Sequence, residues 1–96
     1  MAVVYVTLKV MPTGPDVDLN SVFEGVSEKI REFVDENHKQ SQMLKEEEPI
    51  GFGLKALKIT FAMDESIGST EELENNIKEV PDVESVDVIE VRRALG

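Results

Sequence analysis

Cysteine is absent from the 96 residues, which excludes disulfides, thiolate metal sites and a cysteine nucleophile. Its absence also fits a reducing compartment. With a single histidine, a zinc site would need carboxylates for its remaining ligands. Basic side chains are scarce: 10 against 20 acidic, a formal charge of -10. Phosphate binding needs clustered Lys and Arg, so DNA or RNA is a poor candidate for the main ligand, and a basic protein surface is a better one. No apolar run approaches the ~20 residues that a membrane helix requires. The opening Met1 to Val6 is apolar but lacks a basic n-region and is followed by Thr7 and Lys9, so it does not read as a signal peptide.

Apolar residues still make up 41% of the chain, too many for a disordered tail and enough for one core. Residues 1–96 are expected to form a single domain. Residues 3–11 alternate, with Val4, Val6, Leu8 and Val10 on one face of a half-buried strand. Pro12-Thr13-Gly14-Pro15 ends it. Asp16 or Asp18 caps a helix whose stripe is Leu19, Val22, Phe23, Val26, Ile30, Phe33 and Val34, fading near Glu36. Gly25 inside that stripe costs about 1 kcal/mol against Ala and has no evident reason in the sequence.

Residues 38–48 are polar and read as a weak edge strand whose charges discourage edge-to-edge pairing. Pro49-Ile50-Gly51-Phe52-Gly53 reads as a special loop. Residues 54–63 form a strong strand with Leu57, Ile59, Phe61 and Met63 inward and a bulge expected near Ala56. Ser69 and Glu72 form a capping box for a short helix with Leu73, Ile77 and Val80, stopped by Pro81. Residues 83–91 close the domain as a strand with a phase slip between Val88 and Ile89. The order β-α-β-β-α-β, with two amphipathic helices for one sheet face, predicts an α+β, ferredoxin-like sandwich. Leu8, Phe23, Ile30, Ile59, Phe61 and Ile77 are expected to be buried.

Several motifs have ordinary explanations. Gly51-x-Gly53-x-x-Ala56 matches a dinucleotide fingerprint, but strand-like alternation follows it, so no helix N-terminus is available for a pyrophosphate. Asp16-x-Asp18-x-Asn20 begins like a calcium loop, but Ser21 and Ser27 stand where glycine and glutamate belong, and capping explains it better. His38 has no accompanying nucleophile motif, and Glu46-Glu47-Glu48 reads as a solvated charge run. Between Asp64 and Val91 there are ten acidic residues and one basic, Lys78. Two features stand out. Phe52, flanked by glycines, is either an exposed wedge or a plug for the core. Arg92-Arg93 are adjacent cations after that acidic stretch, read on spacing alone as a solvated end.

Taken together, Lys9-Val10-Met11-Pro12, Pro15-Asp16-Val17-Asp18-Leu19, Glu47-Glu48-Pro49-Ile50-Gly51-Phe52-Gly53-Leu54 with Lys55-Ala56-Leu57, and Val91-Arg92-Arg93 resemble the archaeal elongation factor 1-beta family. The resemblance runs through the whole chain in order. It implies a cytoplasmic guanine-nucleotide exchange factor for the GTPase elongation factor 1-alpha, without covalent chemistry; no cofactor, no metal-ligand set and, from the composition, no direct nucleic-acid or membrane partner is expected, while whether any metal binds stays open. It implies partner contact through Gly51, Phe52 and Gly53, with the phenylalanine at the GTPase switch region. It also implies that Arg93, or Arg92, takes the place of a lysine that enters the magnesium site in eukaryotic relatives. Here the lysine is an arginine and three residues follow it instead of one. The alternative is a ferredoxin-like regulatory or ligand-binding module that dimerises through its sheet.

Overall fold

The computed structural model describes residues 2–94. Four strands and two helices follow in the expected order: β1 (Val3–Pro12), α1 (Leu19–Phe33), β2 (Leu44–Gly51), β3 (Leu54–Asp64), α2 (Glu71–Ile77) and β4 (Val83–Arg93). Short 3-10 turns, Glu36–His38 and Glu65–Ile67, precede β2 and α2. The sheet is antiparallel throughout, in the spatial order β2-β3-β1-β4. This is the ferredoxin-like arrangement that the periodicity predicts.

Both central strands alternate cleanly, so their register sets which face is dry. Val4, Val6, Leu8 and Val10 lie opposite Met63, Phe61, Ile59 and Leu57. All eight are buried and share one cluster with Val22, Val26, Ile30 and Val34 from the α1 segment, and with Leu73 and Ile77 of α2. Both helices therefore cover the same face. Among the described residues no helix covers the other face, which is polar: Thr7 and Thr60 share a hydrogen bond of 2.8 Å, and Glu48 bridges Lys58 at 2.8 Å and Lys9 at 3.5 Å.

Four expectations need correction. Phe23 is only half-buried; it sits at the rim of the core, where the Lys45 ammonium lies 5.0 Å from its ring centroid. The edge strand is β2, but it starts at Leu44 and runs through Pro49 to Gly51, so most of the expected loop is strand. Its edge position lets it accept a proline. The irregularity expected at Ala56 falls instead on β2, between Pro49 and Gly51, opposite the step from Lys55 to Leu54. Ala56 breaks the burial rhythm because its small side chain, opposite Glu48 on the polar face, is covered there. The capping box does not form: Thr70 is the N-cap of α2, and Ser69 Oγ accepts from Glu71 N–H at 3.1 Å. Val80 lies beyond α2, buried in the turn that follows.

The slip in β4 falls as expected. Thr7 pairs with Glu90 and Leu8 with Val88, leaving Ile89 as the extra residue. Asp18 caps α1 through Asn20 N–H at 3.0 Å and Ser21 Oγ–H at 3.2 Å.

Candidate partner interface

The β2–β3 connection is a two-residue hairpin. Gly51 pairs with Leu54, and Phe52-Gly53 make the turn. Backbone φ is 101° at Gly51, 55° at Phe52 and 77° at Gly53. Positive φ at both central positions marks a primed hairpin turn, which matches the right-handed twist of the flanking strands. Glycine adopts it freely, whereas phenylalanine does so at a cost of about 1–2 kcal/mol. Phe52 offsets none of that cost by burial, since its side chain is 100% exposed. The core-plug alternative is therefore excluded. Gly53 brings the turn against the β1–α1 loop; a Cβ there would lie 3.5 Å from Pro15 Cβ. Between turn and loop lies an open groove of about 380 Å³, bordered by Pro12, Pro15, Asp18, Glu47 and Lys55.

Arg92 and Arg93 end β4. Arg92 pairs with Tyr5, and Arg93 with the core residue Val4, so the two side chains leave opposite faces of the sheet. Strand pairing continues one step further, with Ala94 N–H donating to the Val3 carbonyl at 2.8 Å. Arg93 reaches the 3-10 turn after β3, where its Nε donates to Glu65 Oε2 at 2.8 Å and its Nη2 donates to Oε1. These hydrogen bonds and the carboxylate's charge hold the guanidinium pKa above its ordinary value. Among the described residues Arg92 makes no ion pair. Tyr5, Arg92, Arg93 and Ala94 border a shallow groove of about 430 Å³.

The fold brings Gly51, Phe52 and Gly53 together, and it brings Arg92 next to Arg93, but it does not bring the two groups together. Arg93 faces Val4 at the start of β1, whereas the hairpin lies beyond the Leu57–Val10 pair at its end. Nine residue steps along the strands separate them, roughly 30 Å at 3.3 Å per residue. The molecule is 43 Å along its longest axis. Phe52 and Arg93 are thus exposed at opposite ends of the sheet.

The other sequence candidates are structural. His38 Nδ1 lies 2.7 Å from Asp35 Oδ2, and Asp35 Oδ1 accepts from Asp64 N–H at 2.8 Å, tying the end of the α1 segment to the end of β3. Partial burial pushes the Asp35 carboxyl up, but these hydrogen bonds outweigh it and hold the pKa below its ordinary value. In the Glu46–Glu48 run on β2, Glu47 and Glu48 are ion-paired. Lys58 draws the Glu48 pKa down, and Glu47 meets Lys55 at 3.8 Å. Among the described residues no cluster of three or more His, Asp or Glu side chains could hold a metal ion. Glu65 went unread in the sequence. Nothing local distinguishes it from nine other acidic residues in its stretch, and its partner is 28 positions away.

A family model described as the EF-1 guanine nucleotide exchange domain matches residues 5–94. The chain belongs to this family. Among curated relatives it is 39% identical over 95 residues to elongation factor 1-beta of Methanosphaera stadtmanae, covering 99% of this chain and all of that protein. It is 38% identical to elongation factor 1-beta of Methanocaldococcus jannaschii, over 98% of this chain and all of that protein. The Halobacterium salinarum protein of the same name is also 38% identical, over 97% and 99% of the two chains. The span matched to the exchange domain includes the Phe52 hairpin, Glu65 and both arginines. No described helix is long and apolar enough to cross a membrane.

Proposed function

We propose that residues 1–96 act as one exchange domain that accelerates replacement of GDP by GTP on elongation factor 1-alpha. The observation that carries this reading, beside family membership, is Phe52. A large apolar side chain held fully exposed in an unfavourable backbone conformation contributes nothing to the fold, and such positions belong at binding surfaces. Phe52 is the wedge that grips the GTPase. Arg93, at the far end of the sheet, is the cation that enters the magnesium site, with Arg92 as its neighbour on the opposite face.

A GTPase holds its nucleotide through phosphate-binding amides, a lysine and a magnesium ion. Exchange needs no covalent step, only weakening of those contacts. A guanidinium brought to the metal site competes with the ion's charge, and a wedge some 30 Å away anchors the domain while it does so. Because the domain prefers the nucleotide-free state, domain and nucleotide lower each other's affinity, and the GTP/GDP ratio sets the direction of exchange. Release of a fluorescent GDP from elongation factor 1-alpha tests the reading. Release is expected to accelerate in proportion to added protein; a rate that stays at the spontaneous value would refute it.

A further inference from the structure

Arg93 is not a free cation. The fork to Glu65 uses its Nε and Nη2 edge, and both partners are braced from behind. Glu65 N–H donates to the Ala2 carbonyl at 2.9 Å, the Glu65 carbonyl accepts from Gly68 N–H at 3.2 Å, and Asp64 Oδ1 caps the turn through Ser66 N–H at 2.9 Å. On the other side, Ala94 N–H holds β4 to Val3 immediately after Arg93. Two segments far apart in sequence are thus stitched to the start of β1 so that carboxylate and guanidinium meet.

A guanidinium matched by a carboxylate at hydrogen-bond distance presents a dipole to an approaching phosphate or metal ligand, not a net positive charge. We propose that Glu65 restrains exchange: its carboxylate holds Arg93 in the free protein and must let it go before the guanidinium reaches the partner's magnesium site. This rests on the role given to Arg93 above. The pair is exposed, with side-chain accessibilities of 66% for Arg93 and 42% for Glu65. Exposed pairs shift equilibria only by a factor of about two to five, so the restraint tunes exchange without blocking it. Salt screens such a pair, so the restraint weakens as ionic strength rises.

The test compares wild type, Glu65→Gln, Arg93→Ala and the double variant in release of fluorescent GDP from elongation factor 1-alpha, at low and high salt. Glutamine keeps the shape of Glu65 and removes its charge, and a melting curve with Glu65→Ala as a second variant checks that the fold is intact. Glu65→Gln is expected to be about two- to fivefold faster than wild type at low salt. The difference is expected to vanish at high salt and in the Arg93→Ala background. Slower exchange by Glu65→Gln would mean that the carboxylate orients Arg93 instead of restraining it, and equal rates at low salt would mean that it does neither. Either result with Arg93→Ala impaired overturns the restraint and leaves the arginine reading standing. Exchange by Arg93→Ala at the wild-type rate would overturn the arginine reading, and the restraint with it.

Discussion

Phe52, as the proposed wedge, is expected to separate stability from function at one position. Its left-handed backbone suits asparagine better, and Asn-Gly is the preferred pair for this turn. Phe52→Asn is therefore expected to stabilise the domain by about 1 kcal/mol, raising the melting temperature by about 4–8 °C. It is expected to slow exchange roughly thirtyfold, the loss of a typical interface hot spot. Parallel melting and nucleotide-release measurements check both halves; a stabilised variant with normal exchange would dismiss the wedge. At the other end, on the proposed role of Arg93, charge is expected to matter more than shape. Arg93→Lys is expected to keep substantial exchange, Arg93→Ala to lose about tenfold or more, and Arg93→Glu to lose nearly all. Arg92→Ala is expected to be milder, because Arg92 leaves the opposite face of β4. Excess Mg²⁺ is expected to slow the wild type. A severe loss in Arg92→Ala alone would move the role one residue earlier.

Between elements, Gly25 has a reason that its own helix does not reveal. An alanine Cβ at that position of α1 would lie 2.7 Å from Val80 Cγ1, a stiff, buried side chain in the turn after α2. Alanine would gain about 1 kcal/mol of helix propensity, but forcing a methyl into this contact costs about 1–3 kcal/mol. Gly25→Ala is expected to lower stability by about 1 kcal/mol in the wild type and to become neutral or stabilising in a Val80→Ala background. Urea denaturation of the four proteins in the cycle measures that coupling. The helix itself was legible from its stripe and from a capping aspartate, Asp16 or Asp18, because both are local signals; the structure puts the cap at Asp18. The glycine was not legible, because the atom that requires it lies 55 positions away. The same limit applies to α2, whose Ser69-x-x-Glu72 spacing suits a box, yet Thr70 stands at the N-cap position without a side-chain cap hydrogen bond and Ser69 Oγ accepts from Glu71 N–H.

For the whole molecule, charge sets the expected responses to salt and acid. With a net charge of -10, association with a basic face of the GTPase is expected to slow as ionic strength rises. Stopped-flow rates that stay flat across a salt series would remove steering and leave the wedge intact. Asp35, Glu48 and Asp64 all have lowered pKa values in the folded state. For Asp35 the hydrogen bonds from Asp64 N–H and His38 overcome desolvation, for Glu48 the cause is Lys58, and for Asp64 it is the Ser66 cap. Such groups stabilise the fold above their unfolded pKa, and that stability is lost as pH falls through their lower folded values. The melting temperature is therefore expected to drop below about pH 4. Asp35→Asn is expected to flatten part of that drop; a profile identical to the wild type would remove Asp35 from the account.

Strand and helix order, the inward faces of β1 and β3, the slip at Ile89 and a glycine-flanked break in the chain at Phe52 were determined by the sequence itself; that the break is a tight hairpin closing β2 onto β3 was not. Periods of 2 and 3.6 residues, together with glycines at a turn, are properties of adjacent residues and need no distant contact to be read. Whether Phe52 pointed out or in was not of that kind, because exposure depends on what the rest of the chain places around the turn. Tertiary structure alone decided that Phe52 and Arg93 lie at opposite ends of one sheet, since that follows from the register of β1 against both β3 and β4. It alone joined Glu65 to Arg93 and Val80 to Gly25. Those meetings arise where the antiparallel sheet and its two covering helices bring residues 28 and 55 positions apart into contact, and no local pattern in a sequence records which distant side chain will arrive.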